Sequence, residues 1–138
     1  MRVVIDANVL ISCLICPDGR TGRIRDLMRE GRFTVLYSRE PLAEFINVIS
    51  RPHLIEKYRV QEQDIHAFRS LILMRGKRIE IKTRVNVCRD PKDNVYLSLA
   101  LDGHADYIVS GDGDLLSLSP FRGIAIIKPA EFLDILEK

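Results

Sequence analysis

Short apolar runs alternate with helix-patterned stretches along the whole chain, and no other feature of the sequence constrains the fold as strongly. Runs of strand length occur at residues 2–6 (RVVID), 33–37 (FTVLY), 79–82 (IEIK), 107–110 (YIVS) and 124–127 (IAII). Between and after them, helical patterns cover about 7–14, 21–30, 39–50, 61–75, 91–103 and 130–137. Parallel strands need crossovers long enough to hold a helix, so this rhythm predicts an α/β fold on a parallel sheet. Gly31, Gly76, Gly111 and Gly123 punctuate the strand ends. In the third helical pattern Leu42, Phe45, Ile46 and Ile49 repeat at i, i+3, i+4 and i+7, with Ser38 placed as N-cap and Pro41 in the first turn, where proline costs little. Residues 52–60 read as a short helical or irregular connection.

A chain of 138 residues buries roughly two thirds of its unfolded surface on folding, enough for one domain over 1–138 without a disulfide or metal staple. No apolar run reaches the ~18 residues of a membrane span, and the N-terminus opens as a strand instead of a charged-then-apolar leader, so a cytoplasmic location is expected. Three cysteines form no even framework. Cys13 and Cys16 make a CxxC, but no second ligand pair accompanies it, and His53, His66 and His104 stand apart; small buried side chains are the expected role. The net charge of +2 excludes binding of nucleic acid by bulk charge. Basic residues do gather within 20–32 and 69–92, a pattern of solvated faces that gains meaning only beside a site.

Such a site is indicated by carboxylates. Asp6 ends the first strand, Asp112 and Asp114 follow the fourth, and a right-handed crossover starts the helix carrying Asp93 at the same carboxyl edge. Asp93, Tyr96, Leu97 and Ala100 share a helical face, and Glu44 lies in the first turns of the helix after the second strand. Taken singly, each acid has a local explanation: Asp6 as a helix cap, RDPKD as a cap, proline and acid opening a helix, SGDGD as a turn, Glu44 as an exposed glutamate. Their arrival at one edge is different, because gathered carboxylates repel and resist ionisation unless something positive stands among them. An all-oxygen set without His or Cys selects a hard ion, Mg²⁺ or Mn²⁺, one or two in number. Such an ion suits hydrolysis of a phosphate ester, with a carboxylate orienting the attacking water.

The blocks VVIDANVLIS, the glutamate of PLAEFINVI, RDPKDNVYLSLAL and ADYIVSGDGDLL resemble, in order and spacing, the PIN domain, including the toxin ribonucleases of toxin and antitoxin pairs. That resemblance covers nearly the whole chain. It implies a three-layer α/β/α domain with a five-stranded parallel sheet ordered 3-2-1-4-5, and a Mg²⁺- or Mn²⁺-dependent endoribonuclease. By position, Asp6, Glu44, Asp93 and Asp112 match the acidic quartet, with Asp114 as an auxiliary acid at the metal. Asn8 and Ser110 match polar positions that orient ligands and water, and Asp90 is a cap that would reach a metal through water. Arg23, Arg29, Arg89 and Lys92 are the candidates for holding the RNA backbone. The resemblance also implies a homodimer and an antitoxin protein as partner. Two alternatives stand beside it: a non-catalytic module binding RNA or protein through its basic clusters, and a phosphatase of the haloacid dehalogenase type, which wants an acid where this chain has Asn8.

Overall fold

A computed structural model describes residues 1–137. Five parallel strands, β1 (Arg2–Ile5), β2 (Thr34–Tyr37), β3 (Lys77–Arg78), β4 (Tyr107–Val109) and β5 (Ala125–Ile127), form one sheet in the order β3-β2-β1-β4-β5. Val3 stands opposite Val35 on one side and Tyr107 on the other, and Val109 opposite both Ile5 and Ile127. The order and direction agree with the sequence expectation.

Side chains alternate across a strand, so β1 feeds two cores. Val3 and Ile5 join Val35, Val109 and Ile127 on one face, under α1 (Ala7–Ile15), α2 (Arg20–Arg29), α3 (Arg39–Ile49), α5 (Glu62–Arg75) and α8 (Pro129–Glu137). Val4 joins Leu36, Ile108 and Ile126 on the other, under α6 (Asn94–Gly103). These are the three layers. The first core is the larger and includes Phe132, fully buried and edge-on to Phe33 at 5.0 Å; burying such a side chain stabilises by about 2–3 kcal/mol.

Several boundaries depart from the sequence reading. The third strand was expected at 79–82 and is instead Lys77–Arg78, opposite Leu36 and Tyr37. Ile79 donates one more bond to Tyr37 O at 2.8 Å, after which the chain leaves the sheet. The cause is Asp102 in α6, whose carboxylate accepts Lys82 N at 2.7 Å, Thr83 N at 2.9 Å and Thr83 Oγ1 at 2.5 Å, supplying the partners a neighbouring strand would have given. Three hydrogen bonds hold that carboxyl below its ordinary range, outweighing the opposing effect of burial. The expected helix 91–103 is divided into a 3₁₀ turn (Pro91–Asp93) and α6, because Asp90 caps the turn by accepting Lys92 N. Residues 52–58 form a real helix, α4 (Pro52–Tyr58), with Pro52 at its first position. A further short helix, α7 (Gly113–Leu116), follows β4. Ser38 occupies the N-cap of α3 without a side-chain bond. Cys13 is buried as expected, its thiol pushed up to about 12 mainly by burial, whereas Cys16 lies exposed at the end of α1. Among the described residues, no helix is long and apolar enough to cross a membrane.

Candidate active site at the carboxyl edge of the sheet

Asp6 ends β1 and caps α1, so one residue serves both elements. Its extended backbone (φ −70°, ψ 162°) still donates N–H to Val109 O at 3.1 Å, while Oδ1 accepts Val9 N at 2.8 Å. The other oxygen accepts the Ser110 hydroxyl. Only 3% of Asp6 is exposed, and Ser110 is wholly buried. Ser110 is itself fixed by its backbone N–H to Ile127 O at 3.0 Å, and its Oγ accepts Asp112 N at 3.0 Å. One hydroxyl thus ties the acid of the first strand to the acid after the fourth. Asp112 in turn caps α7, accepting Asp114 N at 3.1 Å.

Asp93 closes the 3₁₀ turn and starts α6. The next residue, Asn94, accepts Val87 N at 3.1 Å and Cys88 N at 2.9 Å, pinning the preceding segment to the helix start. One turn further along α6, Tyr96 OH accepts the N–H of Ala7 at 3.0 Å. That donor is one of the orphan N–H groups at the start of α1, so a phenol from α6 completes the cap that Asp6 begins. Tyr96 thereby sets its phenol within the field of the carboxylates, a role that its place on a helical face did not reveal.

The electrostatics show which acids meet. Burial is the main cause that raises Asp6, with the charge of Asp112 adding to it and hydrogen bonds from Ser110, Val9 and Asn8 opposing. Asp93 is pushed from 3.8 to about 6, first by burial, then by a side-chain hydrogen bond with Asp112 and by the charges of Asp112, Asp90 and Asp6. Tyr96 is raised by burial and by the charges of Asp6, Asp93 and Glu44. Cys88 is raised by burial and then by Asp93, Asp112 and Asp90. Asp6, Asp93 and Asp112 therefore form one group, with Asp90 at its rim and Glu44, exposed on α3, felt across Tyr96. Asn8 and Asp114 are exposed; Asn8 reaches the group through its backbone N–H, and Asp114 through its bond to Asp112.

No cation balances these acids. Among the described residues the ion pairs are Arg23 with Glu137 (2.5 Å) and Glu30 (4.0 Å), and Arg29 with Asp26 (3.2 Å). Arg23 and Arg29, expected to face RNA, are thus already paired with acids of α2, α8 and the turn after α2, while Arg89 and Lys92 are exposed beside the acids. The expected metal ligands are gathered but not preassembled: among the described residues, no three Asp, Glu, His or Cys side chains stand where together they would hold an ion. Like charges without a cation between them spread, and Asp6 spends both oxygens on Val9 and Ser110. The donor chemistry nevertheless fits a hard divalent ion, since a buried carboxylate, a second one raised by its acidic neighbours and no imidazole or thiolate among the matched acids leave an oxygen-only site short of positive charge. Next to the acids lies a cavity of about 50 Å³ walled by Tyr96, Tyr37, Ala7, Pro41, Leu42 and Phe45. It carries no charged lining.

A parallel α/β/α domain with an acidic group at the carboxyl edge, on either side of the β1/β4 junction, defines a class of protein before any comparison is made. The PIN domain family model matches residues 2–114, and the chain belongs to that family. It is 33% identical to the uncharacterized protein MJ1680 of Methanocaldococcus jannaschii over an alignment covering 100% of this chain and 93% of that protein. Its fold is similar to a chain of the VapBC2 structure from Rickettsia felis, solved bound to a DNA fragment from its promoter, with a TM-score of 0.61 at 12% identity, covering 93% of this chain and 98% of that one.

Proposed function

We propose that the protein is a metal-dependent ribonuclease, a single domain over residues 1–138, acting as the toxin of a toxin and antitoxin pair. The observation that carries this reading is the group formed by Asp6, Asp93 and Asp112, drawn from three separate segments and left without a cation. PIN domains are generally nucleases that use divalent ions, and the fold's likeness to a VapBC2 chain supports an antitoxin partner.

Asp6, Asp93 and Asp112 would hold Mg²⁺ or Mn²⁺, one ion or two, with Asp114 and Glu44 at the margin. When bound, the ion neutralises charge on the phosphoryl oxygens and makes water a better nucleophile. The chain's own residues do the rest. Ser110 ties the Asp6 carboxylate to the Asp112 backbone, so these two segments stay together while an ion draws the carboxylates inward. Asp93, held above the ordinary carboxylate range by burial and by its neighbouring acids, is suited to accept a proton from the attacking water. Tyr96 holds α6 against the start of α1, and so keeps Asp93 in place beside Asp6. Arg89 and Lys92 flank the acids on the substrate side. Endonucleolytic action, a homodimer and a cytoplasmic location complete the proposal.

The test is cleavage of a panel of labelled RNAs with Mn²⁺, Mg²⁺ or EDTA by wild type, Asp6→Asn and Asp112→Asn. Metal-dependent cuts that vanish in both variants support the reading. Metal-dependent cutting that survives in both, or a wild type that binds but never cuts any RNA, overturns it in favour of a binding module.

A further inference from the structure

The segment that leaves the sheet after β3 is not a slack loop. Residues 79–89 run as an extended strap along α6, in the direction opposite to the helix. Asp102, near the end of α6, holds Lys82 and Thr83; Asn94, at its start, holds Val87 and Cys88. These two anchors are eight residues apart on the helix, a distance of about 12 Å at 1.5 Å per residue. Side chains alternate along the strap: Ile79, Ile81, Thr83 and Val85 turn inward, the three apolar ones packed against the second core, while Lys82, Arg84 and Asn86 turn outward. The alternation that suggested a strand is real; its inward half covers α6 and its outward half is presented to solvent.

Lys82, Arg84, Arg89 and Lys92 are all exposed, and none belongs to an ion pair among the described residues. Glu80 precedes this file and Asp90 interrupts it at the acid site. A polyanion approaching Asp6, Asp93 and Asp112 meets repulsion that only nearby fixed cations offset. Resting on the nuclease reading above, we propose that the strap is a rail for single-stranded RNA: Lys82 and Arg84 bind phosphates a few nucleotides from the cut and lead the strand to Arg89, Lys92 and the acids. The two anchors hold the backbone that carries the cations before binding, so the strap itself pays little ordering cost on association. A phosphate backbone is favoured over an acidic protein because the file ends at the group of acids that would cut it.

The experiment is equilibrium binding of a labelled single-stranded RNA to the full chain in EDTA, where no cutting occurs, from 50 to 300 mM salt. It compares wild type, Lys82→Ala/Arg84→Ala, and a control, Lys57→Ala/Arg69→Ala, which removes the same charge from α4 and α5 on the opposite face of the sheet. For single strands each phosphate contact contributes about 0.7 to the slope of log K against log salt, so losing two lowers the slope by roughly 1.4 and weakens binding about 25-fold at 0.1 M salt. With metal present, the strap variant should raise KM and leave kcat unchanged. Wild-type affinity and slope in the strap variant, or an equal loss in the control, overturn the rail while leaving the nuclease reading intact. Strap-dependent binding of poly-glutamate, with RNA binding unaffected, overturns it in favour of an acidic protein. Failure of wild type to bind any RNA overturns both.

Discussion

Replacing Ser110 by alanine removes one hydroxyl and two bonds, the donation to Asp6 Oδ2 and the acceptance of Asp112 N. Almost no volume is lost, so a cavity contributes little. The carboxylate oxygen left behind belongs to a side chain only 3% exposed, and a buried charged acceptor without its partner costs about 1.5–3 kcal/mol. The Asp112 N–H is only part-buried and open to water, so it adds little, and the loss should be about 2–3 kcal/mol. With m near 2 kcal/mol/M for a chain of this size, the urea midpoint should fall by about 1–1.5 M.

The loss should depend on the charge of Asp6. The Ser110 bond lowers the Asp6 pKa against burial, so removing it raises that pKa further. The deficit is largest where Asp6 is ionised and shrinks as acid protonates it. In an Asp6→Asn background, where the buried group is neutral, Ser110→Ala should cost only about 1 kcal/mol, a coupling of roughly 1–2 kcal/mol in the double-mutant cycle. Urea unfolding in EDTA at pH 5 and pH 7.5 measures all four proteins. An unchanged midpoint, a deficit equal at both pH values, or strict additivity would refute the view that this hydroxyl joins the two acids.

Two other perturbations bear on the same group. Asp93 has a folded pKa of about 6 against an ordinary 3.8, so the stability it contributes is fully present below about pH 4 and lost as pH rises through 6; Asp6, raised in the same direction, adds to that loss. In EDTA the wild type should therefore lose thermal stability between pH 4 and pH 7, Asp93→Asn should flatten that fall, and Mg²⁺ at about 100 times its Kd should restore roughly 2.7 kcal/mol to wild type at pH 7.5 but not to the variant. A melting temperature that rises across this pH range in EDTA would contradict the sign. Tyr96→Phe keeps the ring and leaves Ala7 N–H without an acceptor, which should cost about 1 kcal/mol of stability and lower kcat without weakening RNA binding in EDTA; equal losses in KM and binding would instead make Tyr96 a substrate contact.

The parts that could be read in the sequence are those where one residue answers to one local rule. Asp6, Asp93 and Asp112 could be placed at a common edge because strand ends and crossover handedness fix where a chain emerges from a parallel sheet, whatever packs around it. The third strand could not be placed so well. Its alternating residues satisfy a strand pattern, but the choice between a sheet neighbour and α6 was decided by Asp102, about twenty residues away, whose carboxylate takes the backbone donors. Tyr96 escaped for a similar reason: its partner is a backbone N–H of α1, and a backbone group has no signature in sequence. Arg23 was legible as a charge but not as one already paired, since Glu137 lies at the far end of the chain, whereas the pairing of Arg29 with Asp26 is an i, i+3 spacing that the sequence does carry. Composition sees the acids and the cations alike; it cannot see which cations remain unpaired. In this fold that difference separates Arg23 and Arg29 of α2, held by acids on their own side, from the exposed strap cations, which belong to no ion pair among the described residues and lead towards an uncompensated negative site.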